Sequence, residues 1–202
     1  PNTTICRAGS FFILNGTSNT TRAPASMTEN ELLDACRQQN RTAQKTLYDR
    51  YAKAMYSTAY RILGDFDLAA EATQDGFLQV FRHIGQFEQR STLGAWIKTI
   101  VIRTAISTLR RQKMAFETLH EWQHAEQPDP EPTALEAEYL EKAILQLPNG
   151  CRAVFLLAEV EGYTHKEIAT LLQISEGTSK SQLWQAKKRL REWLQNPVHK
   201  LI

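Results

Sequence analysis

The sequence predicts an all-α protein of two helical lobes joined by a flexible acidic linker. Apolar residues recur every three or four positions through both halves of the chain, and no stretch alternates apolar with polar as a half-buried strand would. Capping residues stand where the helical runs begin. Between Glu117 and Glu141 the composition changes abruptly, to eight acidic residues with no Lys or Arg and with Pro128, Pro130 and Pro132 at alternate positions. Such a stretch reads as an extended spacer whose end can already be helical.

Taken in order, residues 1–26 are rich in Thr, Asn and Ser, lack acidic residues and show no period, so they are expected to be disordered or to precede a native start at Met27. Thr28 and Glu31 have capping-box spacing. A helical run follows over 43–63, with Leu47, Tyr51, Met55, Ala59 and Ile62 on one side and Gly64 as its stop. Asp65 or Asp67 caps the next run, in which Leu68, Phe77, Phe81 and Ile84 share a side until Gly85. Ser91 is expected to cap a third, with Leu93, Trp96, Ile97, Ile100, Thr104 and Leu109 on its buried stripe. Residues 27–113 therefore form the first lobe, 114–138 the linker, 139–196 a second small helical lobe and 197–202 a tail.

With 202 residues, 42% hydrophobic and 23% charged, the chain can bury one medium core or two small ones. A formal charge of +2 and a pI near 8.6 are too mild to name a partner, so the distribution of charge carries the information. Cys6, Cys36 and Cys151 are odd in number and in no ligand spacing, which fits a reducing cytoplasm and argues against a zinc site. The early apolar run Phe11–Leu14 is far shorter than a signal-peptide core or membrane span. No cofactor is expected.

The second lobe carries the most specific local signal. Thr164 and Glu167 form another capping box, opening a short helix with Ile168, Leu171 and Leu172 inward; Gln173 and Ile174 turn, and Ser175 caps a longer helix. At about 100° per residue, Leu183, Ala186, Leu190, Trp193 and Leu194 fall on one face of that helix, opposite Ser181, Trp184, Gln185 and Lys188. This is a helix-turn-helix, whose second helix suits the major groove. Gly177 and Thr178 stand at its N-terminus, where free amides and the dipole favour a phosphate and Gly177 allows close approach. Gln185 offers the bidentate amide that suits adenine, Lys180 reaches guanine or phosphate, Ser181 is a tolerant donor and acceptor, and Trp184 suits a thymine methyl. Lys187, Lys188, Arg189 and Arg191 suit phosphates. A solvated charged helix is the bland alternative; the capped helix and short turn before it favour the DNA reading.

The segment "LPNGCRAVFLLAEVEGYTHKEIATLLQISEGTSKSQLWQAKKRLREWL" resembles the promoter-binding region four of extracytoplasmic-function sigma factors of bacterial RNA polymerase, group four of the sigma-70 family. "DLAAEATQDGFLQVFRHIGQF" is similar to the family segment that docks on polymerase, and "FEQRSTLGAWIKTIVIRTAISTLRR" to the one that opens the promoter. The resemblance covers about residues 28–194, in the family's order. It implies that Glu71, Gln74 and Asp75 bind the β′ coiled coil of core polymerase, with the β flap as a second contact, and their spacing places them on one helix face. Asp75 stands where the family usually has Glu, and Gly76 is an odd residue inside a helix. It further implies that the loop Phe87–Ser91 receives a flipped base of the minus-ten element. Phe87, Arg90 and Ser91 supply an aromatic ring, a guanidinium and a hydroxyl there. Arg103 occupies a position where the family often has Asn, and Arg110 and Arg111 extend a phosphate-tracking flank. Ser179 replaces a usual buried Val, and Gln182 and Gln185 replace frequent Arg residues.

The implied function is promoter recognition in transcription initiation, without catalysis. Implied partners are core polymerase, promoter DNA and an anti-sigma factor, in this family often membrane-anchored. No small-molecule substrate is expected, and the free chain is expected to be a cytoplasmic monomer. A stand-alone repressor would normally need a dimer to read paired half-sites, and no heptad seam is evident. An enzyme would need a constellation that His83, His120, His124, His165 and His199 do not form in the sequence.

Overall fold

The computed structural model describes residues 27–117 and 136–195, and among them every regular element is helical. The expectations for residues 1–26, most of the acidic linker and the 197–202 tail lie outside the described residues.

The local chemistry sets most boundaries. Helix α1 (Glu29–Arg37) opens on a complete capping box: the Thr28 amide donates to Glu31 Oε2 at 2.8 Å while the Glu31 amide donates to Thr28 Oγ1 at 3.3 Å. Helix α2 (Arg41–Leu63) starts earlier than its apolar run because the Asn40 side chain accepts from the Ala43 amide. It ends at Gly64 in the left-handed region, φ 69°, with the Gly64 amide on Tyr60 O at 2.7 Å. Asp65, not Asp67, caps α3 (Phe66–His83) by accepting from the Leu68 amide at 2.9 Å, and a 3₁₀ turn over Ile84–Gln86 follows. The expected cap Ser91 is corrected by one residue. Thr92 Oγ1 accepts from the Ala95 amide at 3.3 Å and α4 begins at Leu93, while the Ser91 hydroxyl turns to Thr92 O. Helix α4 (Leu93–Glu117) runs four residues beyond the expected end of the lobe.

Helices α2, α3 and α4 pack on one another with α1 across one end. Leu47, Ile62, Phe77, Ile97, Ile102 and Ile106 are all 2% exposed or less, each contributing about 1.5–3 kcal/mol relative to exposure. Gly76, odd for a helix interior, is explained by the α3–α4 crossing: a Cβ there would sit 2.8 Å from Val101 Cγ2 and 3.3 Å from Val101 Cα.

The second lobe comprises α5 (Glu136–Leu145), α6 (Asn149–Phe155) running into a π turn over Leu156–Val160, α7 (His165–Leu172) and α8 (Glu176–Gln195). Helix α8 lies across α6 and α7, with Ala186 and Leu190 buried and Trp193 against the Tyr139 ring at 4.4 Å.

The lobes also pack against each other, which the spacing of apolar residues gives no means to foresee. Helix α6 rests on α2, and α7 touches α4. Arg152, 4% exposed, reaches out of α6 to the C-terminus of α2, where its Nη2 donates to Leu63 O at 2.6 Å and its Nε to Ile62 O at 3.3 Å. Burial pulls this guanidinium down to about 10, so it stays charged at neutral pH. At the rim, Arg61 pairs with Glu141 at 2.9 Å and Lys98 with Glu161 at 2.7 Å.

Candidate nucleic-acid interface

Helix α8 presents its outward face because its neighbours fix it from behind. The capping box of α7 is complete, with the Thr164 amide on Glu167 Oε2 at 2.8 Å and the Glu167 amide on Thr164 Oγ1 at 3.3 Å. The Thr164 hydroxyl, which donates to Glu167 Oε2 at 2.7 Å, and then the Thr164 amide hold the Glu167 carboxyl below its ordinary range. Gln173 in the left-handed region, φ 55°, turns the chain, and Ser175 Oγ accepts from the Thr178 amide at 2.9 Å to start α8. Ser179, fully buried where an apolar residue would be expected, shares a hydrogen bond with His165 Nδ1 at 2.9 Å. That bond ties the first turn of α8 to the first turn of α7, and so sets the angle between the two helices. The sequence signals Ser179 as unusual but gives no sign that His165 is its partner.

On the outward face, Gly177, Lys180, Ser181, Trp184, Gln185 and Lys188 are exposed and Thr178 is half-buried. A Cβ on Gly177 would meet only Ser175 Oγ, at 3.6 Å, so no packing inside the lobe demands a glycine there. Trp184 is 64% exposed, a large apolar ring with no core role, and Lys188 Nζ lies 5.5 Å from its centroid. The Cys151 thiol approaches Gln185 Oε1 at 3.7 Å, a weak contact that a base would displace. Lys187 is engaged by Glu159 at 2.8 Å, while Arg189 and Arg191 are exposed.

In the first lobe the expected residues separate by depth. Arg90 and Ser91 lie on the exposed loop before α4, with Arg90 paired to Glu88 at 2.7 Å. Phe87 is different. Its ring is 5% exposed and packs 5.2 Å from the Trp96 centroid, and its carbonyl accepts from Arg37 at 3.1 Å. It supports the loop from below and offers no free face for stacking. Arg103 and Arg111 are exposed and Arg110 is half-buried. Arg103 and Arg111 line a groove of about 620 Å³ between α3 and α4. Arg82, His83 and Gln86 line it too, which the sequence reading did not place at the site, together with Trp96, which it assigned to the buried stripe of α4. With three arginines against Asp75, the groove favours an anion.

Glu71, Gln74 and Asp75 form the crest of α3 between two grooves. Gln74 lines a small one with α2, near Tyr48 and Lys53, whereas Asp75 lines the larger one with α4. Glu71 reaches Arg111 at 3.5 Å, so the acidic crest and the basic flank of α4 are in direct electrostatic contact. Among the described residues no group of His, Cys, Asp and Glu is placed to hold a metal ion, and no helix is long and apolar enough to cross a membrane.

Comparisons with known proteins match two separate stretches of the chain. Residues 47–114 match the model of sigma-70 region 2, and residues 137–190 that of sigma-70, region 4. The ECF RNA polymerase sigma factor SigL of Mycobacterium tuberculosis is 31% identical over 158 residues, covering 75% of this chain and 88% of the relative. SigE of Mycolicibacterium smegmatis, also named as an ECF RNA polymerase sigma factor, is 30% identical over 155 residues. That match covers 73% of this chain and 60% of the relative's length. Among solved structures, the sigma factor RpoE of Bartonella quintana, crystallised with the anti-sigma factor NepR, shares the fold. Its TM-score is 0.50 at 22% identity, over 74% of this chain and 95% of that one.

Proposed function

Because the chain belongs to the extracytoplasmic-function sigma factors of RNA polymerase, we propose that it docks on core polymerase through the α3 crest, reads a minus-ten element with the α4 flank and reads a minus-thirty-five element with α8. It is an initiation factor with no catalysis of its own; RNA synthesis stays with the core enzyme. The observation that carries this division of labour is the outward face of α8, where Trp184, Gln185 and Lys188 face solvent while Ser179, Ala186 and Leu190 are buried behind them. Gln185 and Trp184 read base edges and methyls, and Lys180 and Lys188 fix the register on phosphates. At the minus-ten element the exposed Arg90 and Ser91 receive the extruded base, supported from below by Phe87, and Arg103, Arg110 and Arg111 follow the strand.

Each lobe need bind only weakly, because two contacts on one chain act at high effective concentration. Its place of work is the cytoplasm, on polymerase. An anti-sigma partner fits the family and the complex in which the Bartonella relative was captured, and a membrane anchor on that partner is the form the family suggests. The test is association with bacterial core polymerase followed by run-off transcription from a promoter library. New start sites, abolished when Glu71, Gln74 and Asp75 are changed together to Ala, are expected. Sequence-specific duplex binding with no affinity for core would instead make the chain a stand-alone regulator.

A further inference from the structure

We propose, resting on the minus-ten reading above and deepening it, that Asn30 and Arg37 of α1 are positioning residues for base selection. They hold the loop over residues 87–92 in the shape that receives the extruded base. With Asp34 they stand at i, i+4 and i+7, so all three share one side of α1. Leu32, Leu33 and Cys36, on another side, are buried and seat the helix in the core. Tyr51 of α2 adds a tie to the start of α4. Its hydroxyl donates to Glu29 Oε2 at 3.4 Å, and its ring fills the space beside Gly94, where a Cβ would come within 3.1 Å of Tyr51 Cε1. Helix α1 is therefore a fixed platform beside the loop.

The loop is pinned at its entrance, its apex and its exit. At the entrance Arg37 Nη2 donates to Phe87 O at 3.1 Å while Arg37 Nη1 donates to Asp34 Oδ1 at 3.0 Å. A charged donor with its own orienting carboxylate thus fixes the peptide plane on which the chain leaves the core. At the apex Gln89 takes the left-handed conformation, φ 58°, which residues with a Cβ rarely adopt and which persists where the surroundings hold it. Its side chain is held by α1, with Gln89 Nε2 donating to Asn30 Oδ1 at 3.2 Å. At the exit the Thr92 hydroxyl caps α4. Between these points Glu88, Arg90 and Ser91 are left exposed, Glu88 paired with Arg90 at 2.7 Å. A loop ordered before the strand arrives loses little freedom when a base docks. Fixed donors on it also meet one base edge better than another, whereas a loose loop adapts to several.

The test uses the full chain with bacterial core polymerase and two promoter libraries, one randomised over the minus-ten element and one over the minus-thirty-five element. Competitive run-off transcription reads the base preference at each position, and circular dichroism checks that the helices persist. The double variant Asn30→Ala with Arg37→Ala is expected to lose about three- to tenfold of the preference at the minus-ten position that the loop receives. Its minus-thirty-five preferences and its affinity for core are expected to match wild type. Asn30→Asp keeps the accepting Oδ1 and is expected to retain the wild-type preference, whereas Asn30→Ala relaxes it. A contribution to folding alone would move both libraries together. Should the double variant lose its helices, Asn30→Ala still decides. An unrelaxed minus-ten preference in Asn30→Ala, an equal loss in both libraries, or Asn30→Asp as relaxed as Asn30→Ala would each overturn the brace and leave the sigma reading standing. Absence of any promoter-directed transcript from saturating wild type would instead sink the sigma reading, and the brace with it.

Discussion

Gly76→Ala tests whether the α3 crest is set by close helix packing. In an exposed helix this change stabilises by about 1 kcal/mol, because Ala loses less backbone freedom on folding. Here the new Cβ would stand 2.8 Å from Val101 Cγ2 and 3.3 Å from the Val101 backbone, both fully inside the core. Overpacking of this kind costs about 1–3 kcal/mol, and the contact involves backbone as well as side chain, so we place the penalty at the upper part of that range. The net expectation is destabilisation of about 1–2 kcal/mol, or roughly 4–16 °C in Tm for a lobe of this size. The refined test is a double-mutant cycle with Val101→Ala, which removes the nearer contact. In that background Gly76→Ala should be neutral or stabilising, a coupling of about 2 kcal/mol between neighbours. Urea denaturation followed by circular dichroism measures all four proteins. If Gly76→Ala stabilises the wild type, or has the same sign and size in both backgrounds, close approach of α3 to α4 is not why a glycine stands there.

Other consequences concern α8, the capping boxes and the thiols. Gln185→Ala should cost about 1–3 kcal/mol at one preferred base pair, whereas Lys188→Ala should weaken binding to all duplexes and reduce the salt slope by about 1. Duplex titrations over a range of salt concentrations separate them, and uniform losses in both would move the reading face elsewhere. Because its hydrogen bonds with Thr164 hold the folded Glu167 below the ordinary carboxylate range, its support of α7 is in place at neutral pH and is lost as pH falls through that lowered value. An NMR titration should show the α7 N-terminus loosening in acid, and Glu167→Gln should abolish that pH dependence; loosening that persists in the variant would assign it to another group. Cys36 and Cys151 are buried, and burial raises both thiols. In a Cys6→Ser background neither should react with a thiol reagent at pH 8 until denaturant is added, and free-thiol rates in the native protein would contradict the described core.

The helix-turn-helix was legible in detail because its signals are local. Thr164 with Glu167 and Ser175 with the following turn act over three residues, and the structure places both caps as their spacing implies. The outward face of α8 was legible for the same reason, since a helix period fixes which side chains oppose Ala186 and Leu190. Where two neighbouring residues compete for one role, the sequence is less decisive: Ser91 and Thr92 can each cap α4, and the backbone path into Leu93 selects Thr92. Phe87 reads as a ring free for a base until the chain folds, when Trp96 covers it and leaves Arg90 at the surface.

Sequence alone determined the all-α class, the division into two regions, and the surface of α8, all properties of residues close together along the chain. Tertiary structure alone decided the partners of side chains that meet from different helices. His165 finds Ser179, Glu71 finds Arg111, Gly76 admits Val101, and Arg152 crosses 89 positions of sequence to the end of α2. A periodic pattern states that a residue is inside or outside; only packing in three dimensions states against what.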